Sequence, residues 1–230
     1  MRTIILFLIY VVIVICLTPF LLICYPLKIR RPFIAAGKAA MWLGQKVLGL
    51  KLAVSGIEKI DRKSTYLFMA NHQSFLDGPM LFMLIPQPVR VILKKEVYRI
   101  PVVGWGMHLV EFVPVDRKGI RGGRKSISRA SRLMREKGYS FLIFPEGTRS
   151  LDGKLQAFRR GGFFMAIESQ AAIVPIAIRG TFGLMPKRSF FVRRGKIEVA
   201  FQSPVSVQGY TTANMDQLIE KVRGIIQAAL

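Results

Sequence analysis

Residues 65–78 read TYLFMANHQSFLDG, and their interpretation decides the fold. TYLFMA is a short apolar run rich in the aromatic and β-branched residues that strands favour. Ser74 followed three residues later by Asp77 fits a capping box, and the apolar PMLFML comes next, so a helix start is expected. The stretch therefore reads as strand, turn, helix. A cap does not account for His72, one of two histidines in the chain. If His72 remains in the turn while Asp77 enters the first helical turn, imidazole and carboxylate can meet. On one regular helix, five positions would hold them about 140° apart. Cap and pair then compete for one carboxylate.

Working outward, six further apolar runs have strand character: KLAVSG, VRVIL, EFVPV, SFLIF, IVPIAI and KIEVAF. Helical stretches are expected at residues 75–84, 120–137, 162–170 and 212–228. In the last of these, Met215, Leu218, Val222, Ile225 and Ala229 recur at helical spacing, as a packing face does. Strands alternating with helices predict an α/β fold, a mixed sheet flanked by helices, with ligand sites beyond the strand ends. FPEGTRS, residues 144–150, leaves the strand SFLIF as NHQSFLDG leaves TYLFMA. Arg149 beside Gly147 offers a bidentate phosphate grip. Glu146 needs a partner at the strand end, and Arg149 or a substrate hydroxyl could serve.

With 35 Lys and Arg against 13 Asp and Glu, the formal charge of +22 points to an anionic partner. The chain is also 51% hydrophobic, which favours lipid over nucleic acid. Residues 3–27 carry no charge, and a helix of that length reaches roughly 37 Å against a hydrocarbon core of about 30 Å. The segment is too long for a signal peptide and lacks a small-x-small cleavage site. It is expected to be retained in a membrane, either as a transmembrane helix or, given Pro19 and Pro26, dipping into one leaflet. Lys28, Arg30, Arg31 and Lys38 follow it, placing the bulk of the chain on the cytoplasmic face. Residues 33–50 read as a second helix, interfacial with Trp42 as anchor or part of the core. The expected partition is residues 1–50 as membrane-embedded or interfacial helices, a two-helix membrane-binding hairpin, and 51–230 as one α/β domain.

Cys16 and Cys24 both lie in the apolar segment and, with two histidines, support no metal site. GIRGGRKS, residues 119–126, has Arg124 where a Walker loop needs glycine, so nucleotide hydrolysis is not expected. His108, among apolar neighbours, reads as structural. No G-x-S-x-G elbow is present, which argues against an acyl-enzyme.

NHQSFLDG and FPEGTRS together resemble the first and third blocks of the glycerolipid acyltransferases, nearest to those acting on 1-acylglycerol 3-phosphate. KKEVYRIPVVGWGM, residues 94–107, is similar to the second block and IVPIAIRG, residues 173–180, to the fourth. VPVDRKG and FRRGG also resemble family segments. The likeness runs over residues 56–181 in order. It implies transfer of a fatty acyl group from acyl-CoA or acyl carrier protein to the sn-2 hydroxyl of lysophosphatidic acid, giving phosphatidic acid at a phospholipid membrane. No cofactor is implied beyond the donor. Deprotonating the attacking hydroxyl suits an imidazole, whose ordinary pKa is about 6.5. His72 is the expected base and Asp77 its orienting partner. Arg149 and Arg117, then Lys94 and Lys95, are the expected ligands of the acceptor phosphate, with Glu146, Gly147 and Thr148 shaping the acceptor loop. Other readings are an acyltransferase acting on another lysolipid or on glycerol 3-phosphate, a membrane phospholipid-binding protein without turnover, and a nucleic-acid binder.

Overall fold

The computed structural model describes residues 2–100, 102–115 and 120–230. Its centre is a seven-stranded sheet in the order β1-β7-β6-β2-β5-β3-β4. The strands are β1 (Leu50–Ser55), β2 (Tyr66–Ala70), β3 (Val89–Lys94), β4 (Val113–Val115), β5 (Ser140–Ile143), β6 (Ala172–Arg179) and β7 (Gly195–Phe201). All seven expected strands are present. β6 and β7 pair antiparallel and every other pairing is parallel, so the sheet is mixed.

β2 shows why an unbroken apolar run forms a central strand, since all five of its residues are buried. Tyr66, Phe68 and Ala70 enter one core, Leu67 and Met69 the other. Alternation points successive side chains to opposite faces, and both faces are covered. One face carries α2 (Arg31–Leu48) and α3 (Asp77–Leu84). The other carries α5 (Ile120–Lys137), α6 (Gly161–Ser169) and α8 (Met215–Ala228), after α4 (Val103–Leu109) and α7 (Thr181–Leu184) are set at the strand ends. In α8 the buried stripe is Met215, Leu218, Ile219, Val222 and Ile226. It runs beside the predicted face, with Ile225 and Ala229 only half-buried.

α1 (Arg2–Cys24) folds back on α2, and the Tyr10 hydroxyl donates to the Ala40 carbonyl at 3.0 Å. Among the described residues no helix is long and apolar enough to cross a membrane, so the expected transmembrane helix is not found there. The end of α1 instead buries Leu21 and Cys24 against Leu109. The following turn is tied down by Arg30, whose Nε donates to the Leu109 carbonyl at 2.9 Å and lies 3.3 Å from Glu111. α2 gives its Phe33, Ile34, Met41 and Leu48 to the sheet core and leaves Trp42 exposed. The segment thus packs one face against the core and exposes the other.

Gly56, just past β1, has φ +76°, and a Cβ there would stand 2.0 Å from the Phe201 carbonyl oxygen of β7. A side chain meets both a steric wall and an unfavourable backbone. Gly56→Ala is expected to cost about 3 kcal/mol, read as a lower urea midpoint at unchanged m-value.

Candidate active site

Strands β2, β3, β4, β5 and β6 run in one direction, so their C-terminal ends share an edge. The loops after β2 and β5 leave that edge as neighbours, because Met69 pairs with Ile143. Residues 71–76 do not continue the strand and do not yet form α3, which begins at Asp77. The helix starts two residues later than expected because the Asp77 carboxylate folds back on the chain before it. Its Oδ2 accepts hydrogen bonds from the backbone N–H of Gln73 at 2.8 Å and of Ser74 at 2.7 Å.

The same Oδ2 lies 2.9 Å from His72 Nδ1. A carboxylate already accepting from two amides takes a third donor, so Nδ1 carries the proton and Nε2 is the ring nitrogen with a free lone pair. The expected capping box is not formed, since the residue at the helix start is Leu76 with no side-chain cap; Asp77 Oδ2 instead serves two upstream loop amides together with the imidazole, so no competition arises. Asp77 is fully buried, and its Oδ1 has no partner among the described residues. The negative charge is held by the two amides, the imidazole and the N-terminal end of α3. Against its other face the His72 ring stacks on Phe144, 4.0 Å between centroids and 18° from parallel. The ring is thereby fixed in rotation and in plane.

Glu146 is buried and welds the two loops. One carboxylate oxygen accepts from the His72 backbone N–H at 2.6 Å. The other accepts from the Gln156 backbone N–H and from Gln156 Nε2, both at 3.0 Å. Its partners are thus neither Arg149 nor a position open to substrate, as the sequence had suggested. Burial pushes its carboxyl above the ordinary glutamate value, and these hydrogen bonds, followed by the nearness of His72, oppose the rise. A second weld joins Ser150 N–H to the His72 carbonyl at 2.8 Å. Gly147 turns the loop at φ +75°, and a Cβ there would come within 2.6 Å of Arg159 Nε.

Thr148 and Arg149 are half-buried, and the Arg149 guanidinium has no hydrogen bond or ion pair among the described residues. Lys187, which no sequence pattern singled out, donates to Thr148 Oγ1 at 3.0 Å and to the Arg149 carbonyl at 3.1 Å. Lys94 ends β3 on the same edge of the sheet, exposed and 3.4 Å from Glu96, with half-buried Lys95 opening the next turn. Arg117 lies outside the described residues. Asn71 locks the edge from within, exchanging hydrogen bonds of 2.9 and 2.7 Å with the backbone of Ile178 in β6. His108 packs edge-to-face on Tyr98 at 4.8 Å, away from these loops in α4.

Two cavities adjoin the first loop. An apolar one of about 270 Å³ is lined by Met41 and Leu48 of α2, Phe75 and Leu76 of the loop, and Met80 and Met83 of α3. A polar cleft of about 500 Å³ lies behind Gln73, beside Lys154 and Arg179, and does not include His72 or Arg149 among its walls.

The chain resembles known proteins in sequence and in fold. The chain aligns with a chloroplastic 1-acyl-sn-glycerol-3-phosphate acyltransferase of Arabidopsis thaliana, 35% identical over 157 residues, covering 67% of this chain and 44% of that protein. It aligns with the Saccharomyces cerevisiae enzyme of that name at 31% over 179 residues, 77% of this chain and 59% of the relative. The chain thus spans about half the length of these relatives. The crystal structure of the 1-acyl-sn-glycerophosphate acyltransferase of Thermotoga maritima superposes with a TM-score of 0.84 at 25% identity, covering 99% of this chain and 92% of that one. Residues 51–179, which hold both welded loops and the sheet edge between them, match the acyltransferase family, and to that family this chain belongs.

Proposed function

We propose that this chain moves a fatty acyl group from the thioester of acyl-CoA or acyl carrier protein to the sn-2 hydroxyl of lysophosphatidic acid, giving phosphatidic acid. The observation that carries the reading is the His72–Asp77 pair at 2.9 Å, welded through Glu146 to the loop bearing Arg149. The acceptor hydroxyl gives its proton to His72 Nε2 as its oxygen attacks the thioester carbonyl. The carbonyl re-forms, the thiolate leaves, and the imidazolium returns the proton to the sulfur. Asp77 holds the tautomer and stabilises the imidazolium. Direct attack is supported by Ser74, the nearest hydroxyl in sequence. Its side chain is buried and donates to the Met185 carbonyl at 2.8 Å, so it does not serve as nucleophile.

Arg149 is assigned to the acceptor phosphate, with Lys94 and Lys95 adding positive charge along the same edge and Arg117 a further ligand on the family resemblance alone. Gly147 and Thr148 shape the loop that presents Arg149. Arg149→Ala is expected to lower kcat/KM for lysophosphatidic acid by about 10–100-fold, mostly through KM, the magnitude of a charge-assisted hydrogen bond. Steady-state rates across acceptor concentrations check this.

The apolar cavity beside Phe75 is assigned to the acyl chain, because an apolar wall built on the same loop as His72 is where a fatty thioester can lie. Met41→Trp fills it and is expected to cut the rate with the longest donors about tenfold relative to short ones. A membrane seat is supported by α1, whose Phe7, Leu8, Val12 and Ile15 are all more than half exposed. Residues 1–50 then form the membrane-seating part, and 51–230 the catalytic domain on the cytoplasmic face.

Purified protein offered several lysolipids and glycerol 3-phosphate, each with acyl-CoA and acyl carrier protein donors, tests the reading by mass analysis of products. Phosphatidic acid formed from lysophosphatidic acid supports it. Acylation of a different acceptor only, or none, overturns it.

A further inference from the structure

The loop between α7 and β7 contains KRSFFVRR, residues 187–194. Phe190 is 84% and Phe191 66% exposed, the most exposed pair of adjacent aromatics among the described residues. Arg188 precedes them, Arg193 and Arg194 follow, and all three are exposed with no carboxylate partner among the described residues. Phe190 also borders the apolar cavity, but two neighbouring phenylalanines this exposed between unpaired arginines bury little of either ring in the fold, so their use lies in a contact made with another phase or molecule.

The loop is built rather than frayed. Arg193 N–H donates to the Leu184 carbonyl at 2.9 Å and closes its base. Ser189 N–H donates to the Pro186 carbonyl at 3.0 Å, and the Ser189 hydroxyl bridges both ways to Phe191, accepting from its N–H at 3.2 Å and donating to its carbonyl at 2.9 Å. On one side Val192 N–H donates to Thr3 Oγ1 at 3.2 Å, setting the crest beside the start of α1, where Ile4, Phe7 and Leu8 are exposed. On the other side the same segment is fastened to both site loops, through Ser74 to the Met185 carbonyl and through Lys187 to Thr148 and the Arg149 carbonyl.

We propose that residues 188–194 form a membrane-inserting crest. Phe190 and Phe191 enter the acyl region of one leaflet of an anionic phospholipid bilayer, while Arg188, Arg193 and Arg194 bind headgroup phosphates. The segment behind the crest then holds the Thr148–Arg149 loop at the lipid surface, so that an acceptor reaches Arg149 without leaving the interface. Continuity with the exposed apolar start of α1 and the basic flanks select lipid as the occupant. The inference rests on the reading that the substrate is a lipid.

The test uses the full chain carrying Phe190→Trp, with Trp42→Phe and Trp105→Phe to remove background emission. Vesicles of phosphatidylcholine with about a third phosphatidylglycerol are added, plain or brominated on the acyl chains. Insertion predicts a blue shift and roughly twofold quenching by the brominated lipid. Unchanged, unquenched emission from vesicle-bound protein overturns it, and points to a protein partner for the crest instead. A second variant, Phe191→Asp, whose side chain lies outside the apolar cavity, is expected to raise the apparent KM for vesicle-borne lysophosphatidic acid by about tenfold, with a monomeric short-chain acceptor unaffected. Equal loss with both acceptors also overturns it. Quenching does not depend on turnover, so an inserted crest on a protein that acylates no lysophosphatidic acid separates failure of the substrate reading from failure of this one.

Discussion

Replacing His72 by alanine is expected to lower kcat about 10³-fold with little change in the apparent affinity for either substrate. A positioned base contributes about 10²–10⁴-fold. Here the ring is held by Asp77 Oδ2 at 2.9 Å and by the Phe144 ring at 4.0 Å, and the His72 backbone by Glu146 at 2.6 Å. Such restraint places Nε2 for one task. Under the proposed mechanism its removal leaves the substrates bound but the hydroxyl protonated at the moment of attack. Folding is expected to survive, because the Gln73, Ser74 and Ser150 hydrogen bonds that shape the loop do not use the imidazole. Single-turnover rates with lysophosphatidic acid and a long-chain thioester make the measurement. A rate within a few-fold of the parent would remove His72 as base.

Asp77→Asn is expected to cost about 10³-fold in kcat, roughly 4 kcal/mol in the barrier, for a stability loss of about 1–2 kcal/mol. The asymmetry follows from Oδ2 carrying all three hydrogen bonds while Oδ1 has no partner among the described residues. An asparagine carbonyl can stand where Oδ2 does and accept from the same donors. Its NH₂ then occupies the buried Oδ1 position unpaired. What disappears is the charge that stabilises the imidazolium. Asp77→Ala leaves the Gln73 and Ser74 amides without an acceptor and is expected to lose about 3 kcal/mol or more of stability. Paired denaturation and rate measurements separate the two functions. Matching losses for Asp77→Asn would leave the residue with a structural role in the loop alone.

The strands were legible because buried strands read as continuous apolar runs, and β2 with every residue inside is the clearest case. α4, VGWGMHL, was not legible, since seven residues with two glycines carry no helical periodicity. α7, with four residues, is shorter than any periodic signal. Gln156, Lys187 and Asn71 escaped as site builders for a different reason. Their hydrogen bonds reach Glu146, Thr148 and Ile178, which are 10, 39 and 107 positions away. A polar contact between distant segments leaves no pattern in either one.

By itself the sequence determined the candidates for the proposed chemistry: a histidine and an aspartate spaced to meet across a strand-to-helix turn, and an arginine on a second turn of the same kind. It also determined the strands that those turns leave, through runs apolar enough to be buried on both faces. The tertiary structure decided that the turns are one site. Parallel pairing of β2 with β5, Met69 opposite Ile143, sets residues more than seventy positions apart on neighbouring strands and sends both chains out at the same edge. Neighbouring strands lie about 4.8 Å apart, so a carboxylate leaving one can reach an amide leaving the other. Glu146 does so at His72. Register is set by burial summed over the whole sheet, a quantity that neither turn contains.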